Sequence, residues 1–431
     1  AGRSAVAASR VVGHRRRVSA DPHPPPWAEL GSAYRSVKVL AGGELGVATK
    51  DHLVSIFGAG RTVVHLDLEG RLHRAWLGDR SYQRGLDGRV RRVTFEGEGR
   101  DRSIAIEIVS PGLAAGVFAQ VGELVAAAHA ALPADVEPVV AETLALALGA
   151  FAPSAVEAEA AKFRAAYDPI PILPPDRNRA LVIQLTSGCS WNRCTFCHLY
   201  RDTRFSMKTP EALADHIGRV LGVVGRALPL RRGVFLGQAN ALVIARDKLL
   251  PLIDVVNAEL RRASAPAAFR SLSAFVDAFS SPKRVEEWAE LRQRGLESVS
   301  LGLESGSDDV LATLGKPAES AGAVRLVEQL HEAGVGVGVI VLAGAGGARW
   351  ADRHVGATVD AIARMDLRKG DRVYLSPLQV EPGSRFQAAF QDLGTLCLAE
   401  IDAQANSIRA GLRAAAVSVP VARYDIRRFV Y

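Results

Sequence analysis

The stretch Gly188-Cys-Ser-Trp-Asn-Arg-Cys-Thr-Phe-Cys-His198 contains three of the four cysteines in a chain of 431 residues. It comes just after an apolar run, Ala180–Leu185, that is typical of a buried strand. Iron–sulfur clusters are held by cysteine thiolates. Three thiolates this close together therefore predict a cluster in which one iron has no protein ligand and is open to a small molecule.

The chain after Asp168 alternates strand-like and helix-like segments, as in a parallel sheet built from strand–helix–strand units. Thr209, for example, can cap a helix whose first residue is Pro210. Cysteines that follow the first strand lie at the C-terminal ends of the strands, where barrel enzymes keep their active sites. The pattern predicts an α/β fold, a partial (β/α)6 TIM-like barrel with a smaller N-terminal α+β domain. The predicted strands are Ala180–Leu185, Gly233–Gly237, Ala268–Ala274, Ser298–Leu303, Val335–Leu342 and Arg372–Pro377.

Shifts in composition divide the chain into an expected leader, two domains and an extension. Residues 1–30 form a basic leader that we expect to be disordered, and 31–170 form a β-rich domain followed by helices. The barrel takes 171–390, beginning within the proline-rich connector Asp168–Pro175. Residues 391–431 are expected to be a helical extension.

The composition narrows the class of protein. Hydrophobic and charged contents of 48% and 23% are ordinary for a soluble globular protein. No stretch reaches the roughly 18 consecutive apolar residues that a membrane span needs, so none is expected. The net charge of +7 is partly due to arginines in the leader, which is compatible with a nucleic-acid partner or with a solvated basic tail. Clustered cysteines without a secretory apolar segment predict a cytoplasmic location.

A second motif, Leu301-Gly-Leu-Glu-Ser-Gly-Ser-Asp-Asp-Val-Leu311, begins at the end of the fourth predicted strand. With the cysteine run, it resembles the radical S-adenosylmethionine (SAM) superfamily, in particular its coproporphyrinogen-dehydrogenase-like and Elongator-like branch. The resemblance extends over about 180–386 and includes the glycine-rich strand Val335–Gly347 and the turn at Pro382-Gly383. The cysteines are separated by four and then two residues, whereas the superfamily usually has three and then two.

The resemblance implies that Cys189, Cys194 and Cys197 hold a [4Fe–4S] cluster and that SAM binds its open iron. It implies an enzyme that reductively cleaves SAM to a 5′-deoxyadenosyl radical, which abstracts hydrogen from a substrate that the sequence does not identify. A one-electron donor of the flavodoxin or ferredoxin type is the implied partner. By the same resemblance, the SAM site is expected to include Phe196, Gly237, Gln238, Glu304 and Ser305.

Other interpretations of the cysteine run stay open at this point. The three cysteines together with His198 would make a structural zinc shell. The last part of the run has the spacing of a c-type haem attachment motif, which requires export. The main alternative function is a non-catalytic iron–sulfur or zinc-binding carrier on the same barrel. The unusual cysteine spacing, and Gln238 where the superfamily usually has an acidic residue, motivate it.

Two further predictions concern residues outside these motifs. Cys397 stands alone in an apolar helical stretch, and we expect a buried free thiol without a redox role. Tyr374 and Ser376 share one face of the last predicted strand, because successive side chains of a strand alternate between its faces. That face points either toward a substrate above the barrel or outward.

Overall fold

The computed structural model describes residues 34–40, 42–96, 103–280, 282–380, 385–426 and 429–431. The expected leader and the Pro382-Gly383 turn lie outside these ranges. The two largest apolar cores of the described chain belong to an N-terminal sheet domain and to a partial α/β barrel.

The N-terminal domain is built on an antiparallel sheet of eight strands, each paired with the next in the chain. Short strands separated by tight turns explain this meander, because such turns join antiparallel neighbours without a crossover. Gly70 lies in one of the turns with φ of +75°, and an added Cβ would stand 2.7 Å from the backbone nitrogen of Ala147. The strands are β1 (Arg35–Val39), β2 (Gly46–Lys50), β3 (Leu53–Gly58), β4 (Thr62–Asp67), β5 (Leu72–Leu77), β6 (Arg80–Arg84), β7 (Val90–Glu96) and β8 (Ser103–Ile108).

Three helices follow the sheet: α1 (Pro111–Ala130), α2 (Pro138–Ala147) and α3 (Pro153–Ala166). Each begins with proline, which has no N–H to leave unpaired in the first turn. Val121 and Val125 of α1 are fully buried in the sheet domain core. By length and hydropathy alone, α1 is the one helix of the described ranges that could cross a membrane, and about a third of it is buried inside the domain.

The barrel alternates strands and helices along the chain. This alternation is expected, since parallel neighbours need a crossover connection. In chain order its elements are β9 (Leu181–Gln184), β10 (Thr186–Ser187), β11 (Ser206–Met207), α4 (Pro210–Val224), β12 (Val234–Gly237), α5 (Arg246–Arg262), β13 (Leu272–Val276), α6 (Val285–Gln293), β14 (Leu296–Glu304), α7 (Asp308–Thr313), α8 (Ser320–Glu332), β15 (Gly336–Ala343), α9 (Ala351–Arg364), β16 (Arg372–Pro377), α10 (Arg385–Phe390), α11 (Leu398–Ala414) and β17 (Val421–Arg423).

The barrel sheet is parallel throughout and open. Its order is β9–β12–β13–β14–β15–β16–β17, with β9 and β17 at the two edges. The strand order confirms the predicted partial barrel, and the sixth predicted strand has the bounds of β16. The seventh strand, β17, was not predicted and lies in the segment expected to be a helical extension.

The third predicted strand begins later than expected. Pro266 opens a 3-10 turn over Ala267–Arg270, in which the Phe269 N–H donates to the Pro266 carbonyl at 2.9 Å. β13 therefore begins at Leu272 instead of Ala268.

The prediction that Cys397 is buried within a helix is wrong. Cys397 is exposed and directly precedes the first residue of α11. Its backbone N–H donates to Glu400 Oε2 at 2.7 Å, and such a contact with the third helical residue caps a helix start. The side chain therefore projects from the helix terminus rather than from its apolar face.

Candidate functional site

The three clustered cysteines lie on one long loop that follows β9. The strands β10 and β11 close this loop as a short antiparallel pair, with Thr186 opposite Met207 and Ser187 opposite Ser206. Gly188 begins the loop with φ of +71°, and an added Cβ would stand 2.7 Å from the Thr203 carbonyl oxygen. Only glycine allows the two ends of the loop to approach this closely.

The extra residue between the first two cysteines is accommodated by a local bend. Asn192 has φ of +47°, a left-handed conformation that asparagine tolerates better than most residues. Its Nδ2 donates to the Tyr200 carbonyl at 2.7 Å, and its backbone N–H points at Cys189 Sγ at 3.4 Å. The spacing of four residues therefore still directs the first cysteine into the loop interior.

The loop is fixed to the C-terminal end of α7. The Thr195 N–H donates to the Leu314 carbonyl at 2.8 Å, and the Thr195 hydroxyl donates to the Thr313 carbonyl at 3.2 Å. The indole N–H of Trp191 donates to the Gly315 carbonyl at 3.0 Å. Carbonyls at a helix end have no partners within the helix, so the loop supplies the donors that this end lacks.

A cavity of about 230 Å³ opens at the C-terminal ends of the barrel strands. Cys189, Cys194 and Cys197 all line it, and so do Phe196 and Glu304. Much of the remaining wall is apolar. Its other members include Ile172, Phe275, Phe279, Ile340, Leu342, Leu378, Tyr424 and Ile426, and the polar residues His198, Asn240, Asp277, Lys316, Ser376 and Gln379.

The chemistry of the cysteines fits an iron–sulfur cluster. Burial raises the pKa of the Cys194 thiol to about 12 and that of Cys197 to about 11, so neither ionises at neutral pH without a cation. A coordinating metal deprotonates such thiols. The Leu199 amide bonds to Cys197, as the Asn192 amide does to Cys189, and amides directed at sulfur stabilise thiolate ligands.

The arrangement of the sulfur atoms fits a cluster better than a single zinc ion. Among the residues that the structure describes, no group of three or more His, Cys, Asp and Glu side chains surrounds a site for a single ion. The ligands of a four-iron cluster stand further apart than those of one zinc ion, because each cysteine binds a different iron. His198 lines the same cavity as the cysteines.

A buried ion pair forms part of the wall of the same cavity. Lys316 Nζ lies 3.0 Å from Glu304 Oε1 and also donates to the Gly302 carbonyl, and both charged side chains are largely buried. Burial alone would lower the pKa of the Lys316 ammonium, but the charges of Glu304 and Cys194 raise it above its usual value. Glu304 has φ of +63°, and such strained backbone is concentrated at functional sites.

Residues of the Glu-Ser-Gly-Ser motif have two different locations: one lines the cavity, and the next two pack against α9. Glu304 lines the cavity, whereas Ser305 is fully buried behind it, with its Oγ 2.8 Å from His354 Nδ1 of α9. An added Cβ on Gly306 would lie 2.1 Å from the Ala357 carbonyl oxygen of the same helix. The structure therefore places Ser305 outside the wall of the cavity, in the contact that holds the end of β14 against α9.

In the turn after β12, too, some residues line the cavity and others lie behind it. Gly237 and Gln238 are not part of the cavity wall, whereas the next two residues, Ala239 and Asn240, are. The Gln238 Oε1 accepts from the Gly188 N–H at 2.8 Å, and its Nε2 donates to the Pro169 carbonyl at 2.9 Å. Gln238 thus connects the start of the cysteine loop to the segment before the barrel.

Asn240 presents an unused acceptor in the wall. Its Nδ2 donates to Asp277 Oδ2 at 2.8 Å, while its Oδ1 is buried and has no hydrogen-bond partner. Buried polar atoms are nearly always satisfied by protein, water or ligand. An orphaned acceptor in this wall fits a ligand that brings a hydroxyl or ammonium group.

Strand β16, the last of the predicted strands, presents one of its faces to the barrel interior. Ser376 lines the cavity, and Tyr374 on the same face is buried below it, where its hydroxyl donates to Asp176. This observation decides between the two orientations left open by the sequence.

Sequence reasoning missed Asn240 in the cavity wall, and also two polar wall residues on other segments, Lys316 and Asp277. Neither belongs to the motifs that the resemblance covers. One signal was available: Gly315-Lys316 follows directly on the helix that begins within the Glu-Ser-Gly-Ser-Asp-Asp segment.

Part of the chain matches a known protein family. The family model described as "Radical SAM superfamily" matches residues 183–355. A radical SAM methyltransferase, TsrM from Kitasatospora setae, is similar at 20% identity over 48% of this chain and 36% of that chain, with a TM-score of 0.36. Coproporphyrinogen III oxidase (HemN) from Escherichia coli is similar at 14% identity over 59% of this chain and 55% of that chain, with a TM-score of 0.41.

A third structure, HydG, a maturase of the [FeFe]-hydrogenase, is similar at 14% identity over 71% of this chain and 63% of that chain, with a TM-score of 0.37. The matched regions span between about a third and two thirds of these three proteins. No protein in the curated comparison matches the chain.

Proposed function

The chain belongs to the radical SAM superfamily, and on this premise we propose that Cys189, Cys194 and Cys197 hold the [4Fe–4S] cluster of a radical SAM enzyme. The observation that carries the proposal is that these three thiols and Glu304 open onto one cavity at the C-terminal ends of the barrel strands. The cofactors of this superfamily are a [4Fe–4S] cluster and SAM. When bound, they supply one-electron cleavage of SAM and abstraction of a hydrogen atom from the substrate.

The cysteine loop holds the ligands in a fixed arrangement. Arg201 donates from Nε to the Cys197 carbonyl and from Nη2 to the Thr195 carbonyl, each at 3.2 Å, and so ties the last turn of the loop together. Phe196 lines the cavity between two of the thiols. In the proposal, its ring excludes water from the cluster side and offers an apolar face to the adenine of SAM.

We assign the polar groups of SAM to the wall made by Asn240 and Glu304. The free Oδ1 of Asn240 would accept from the ammonium or from a ribose hydroxyl. Glu304 would accept from the same kinds of donor while Lys316 holds its Oε1. Gly237, Gln238 and Ser305 have positioning roles in this proposal, because they support the loop and the strand end behind the wall.

The remainder of the cavity sets the kind of substrate. Phe275, Ile340, Tyr424 and Ile426 line it with few polar groups between them. A substrate with an apolar portion fits such a wall, and Gln379 and Ser376 supply the polar groups that would orient it.

The proposal includes an electron donor and a cytoplasmic location. A small one-electron carrier of the flavodoxin or ferredoxin type is the class of partner that SAM reduction requires, and a cytoplasmic location suits unpaired thiols. The nucleic-acid partner considered for the leader concerns residues outside the described ranges.

The direct test is anaerobic reconstitution with iron and sulfide, followed by reduction in the presence of SAM. We expect methionine and 5′-deoxyadenosine to be released, and an electron paramagnetic resonance signal that shifts when SAM is added. A protein that binds the cluster but releases neither product with any of several reductants would favour the carrier function. A colourless protein with one zinc per chain would refute the iron site altogether.

A further inference from the structure

A second cavity lies at the opposite end of the barrel, where the barrel meets the N-terminal sheet. It measures about 70 Å³ and is bounded by His73 of β5 and Arg84 of β6 on the sheet side. Arg179 and Arg231, on its other side, precede β9 and β12 and therefore lie at the N-terminal ends of the barrel strands. The cysteine loop follows the C-terminal end of β9, so this cavity is distinct from the site described above.

Arg84 is a buried cation without a partner. The residue is 7% exposed, and its Nε, Nη1 and Nη2 are buried with no hydrogen bond to any protein group. Its guanidinium carbon stands 5.8 Å from the centre of the Phe118 ring. An uncompensated buried charge is strongly unfavourable, and guanidinium carries five donors that fit oxyanions.

The charges of Asp67, Glu159 and Asp87 act on Arg84, but none of these carboxylates makes a hydrogen bond to it. Asp87 pairs with Arg89, and Glu159 pairs with Lys162. Asp67 lines the same cavity, but its Oδ2 accepts from Arg71 Nε at 2.8 Å and its Oδ1 accepts from the backbone N–H groups of Glu69 and Arg71 at 3.0 Å. Arg71 directs its remaining nitrogens to the Val223 and Val224 carbonyls, at 2.7 and 3.0 Å. Asp67 and Arg71 therefore satisfy each other and leave Arg84 unpaired.

The other side chains around the cavity add positive charge. Arg231 stacks over the Tyr431 ring at 4.6 Å, and Arg179 donates one hydrogen bond, from Nε to the Leu230 carbonyl at 3.0 Å. Burial, and then the charges of Arg74, Arg231 and Arg179, lower the pKa of His73 to about 4. Within the described ranges, four arginines and one carboxylate side chain, Asp67, line the cavity, and this excess of positive charge favours an anion.

We propose that this cavity binds one small tetrahedral oxyanion, a phosphate or sulfate group, which accepts hydrogen bonds from Arg84 and is flanked by Arg231 and Arg179. A volume of about 70 Å³ has room for roughly five water-sized groups, since one water needs about 10–15 Å³ by the same measure. That room matches a single oxyanion. The anion would be free in solution or would be the terminal group of a phosphate ester.

Such an anion would join the two domains. Arg84 belongs to the N-terminal sheet, and Arg231 and Arg179 belong to the barrel, so one bound anion contacts both. A ligand that binds the folded state alone stabilises it in proportion to the logarithm of its concentration above Kd. The proposal therefore predicts a stability that depends on phosphate and not on chloride.

The test uses the full chain, freed of phosphate and sulfate by dialysis, and titrated with sodium phosphate against sodium chloride at equal ionic strength. We expect phosphate to raise Tm and to give a binding isotherm with one site per chain in calorimetry. Sulfate should compete. Glycerol phosphate, tested in parallel, separates the two sources: binding as tight as that of inorganic phosphate indicates an esterified ligand, and no binding indicates a free anion.

The test variant is Arg84→Met, and its matched control is Arg80→Gln on the same strand. The Arg84 side chain is buried, whereas the Arg80 side chain is about half exposed. Arg84→Met should weaken phosphate binding about tenfold or more, because a charge-assisted pair is worth at least that factor. Arg80→Gln should leave it unchanged. If Arg84→Met does not fold, Arg231→Gln gives the second measurement, with an expected loss of several-fold.

Two results would overturn the proposal. One is the absence of a phosphate effect beyond that of chloride in the unmodified chain. The other is an equal phosphate effect in the unmodified chain and in Arg84→Met. A crystal structure from phosphate solution that shows only water beside Arg84 would have the same meaning.

Discussion

The two ends of the barrel treat a buried cation in different ways. At the C-terminal end, Lys316 is paired with Glu304 at 3.0 Å inside the cavity of the cysteine loop. At the N-terminal end, Arg84 is buried at the boundary with the N-terminal sheet, and none of its side-chain nitrogens has a hydrogen-bond partner in the protein. In the first cavity the fold itself supplies the counter-ion of the buried cation. In the second, the counter-ion has to come from solution, so the site and the stability of the junction depend on a ligand.

The largest effect is expected from removal of a thiol in the first cavity. Cys194→Ala should reduce bound iron from about four atoms per chain to near zero, and with it all SAM cleavage. Iron and sulfide analysis after anaerobic reconstitution measures this loss. Cys397→Ala, at an exposed helix start far from the loop in sequence, is the control and should keep its iron. Unchanged iron content in Cys194→Ala would refute the ligand assignment.

The pairing of Lys316 predicts the next largest effect. Lys316→Met leaves Glu304 buried without a counter-ion and should cost about 3–5 kcal/mol in the free energy of unfolding, measured by urea titration. The double variant with Glu304→Gln should cost less than the sum of the two single variants. Lys162→Met removes an exposed pair with Glu159 and should cost less than about 1 kcal/mol. Additive costs in the double-mutant cycle would show that the two buried charges do not interact.

His354, a neutral histidine behind the first cavity, predicts that the free energy of unfolding depends on pH. Burial lowers the pKa of His354 to about 4, from 6.5 in the unfolded chain. The unfolded chain therefore takes up a proton as the pH falls from 6.5 toward 4 while the folded chain does not, so stability decreases in this window by roughly 3 kcal/mol at most. His354→Gln should reduce the slope of unfolding free energy between these pH values. A slope from His65, His73 and His216 should remain, since burial also lowers their pKa values to about 4.

His52→Gln is the control for that profile, because His52 is an exposed residue of the N-terminal domain. A slope that is the same in His354→Gln and in the unmodified chain would mean that His354 is already protonated in the folded state.

The smallest effect is expected at Arg84 when no anion is present. Arg84→Met removes a buried charge that has no protein partner, so in phosphate-free buffer the free energy of unfolding should change by no more than about 1 kcal/mol or should increase. Chemical denaturation in phosphate-free buffer measures it. A loss of several kcal/mol under those conditions would show that protein groups do stabilise this guanidinium, and the contrast with Lys316 would disappear.

The sequence was sufficient where a local pattern determines the structure. The bounds of β16 were predicted as observed. Its apolar run begins after the turn signal Gly370-Asp371 and ends at Pro377, so both ends are marked in the sequence. The position of the cysteines after the first strand was also predicted, since it follows from the order of the segments alone. β17 was missed because three residues, Val421–Arg423, are too few to show a periodicity.

The cavity walls were harder to predict because they depend on contacts between distant segments. Glu304 is named by its motif, but its partner Lys316 is determined by the way α7 returns the chain to the end of β14. The motif alone did not show that Ser305 faces α9 rather than the cavity. The lining of the Arg84 cavity comes from five separate segments of the chain, the last of them Val430-Tyr431. No pattern in β6 distinguishes its buried arginine from the exposed Arg80.

The attachment of the cysteine loop to α7 has a consequence for the order of assembly. Trp191 and Thr195 bind the carbonyls of residues 313–315, and Lys316 is the next residue in the chain. A loop that is unfolded for want of iron would release these carbonyls, and with them the ammonium that holds Glu304. Metal must then bind before the sulfonium cosubstrate. The protein without metal should have neither an ordered cysteine loop nor a Glu304 side chain held in place for that cosubstrate.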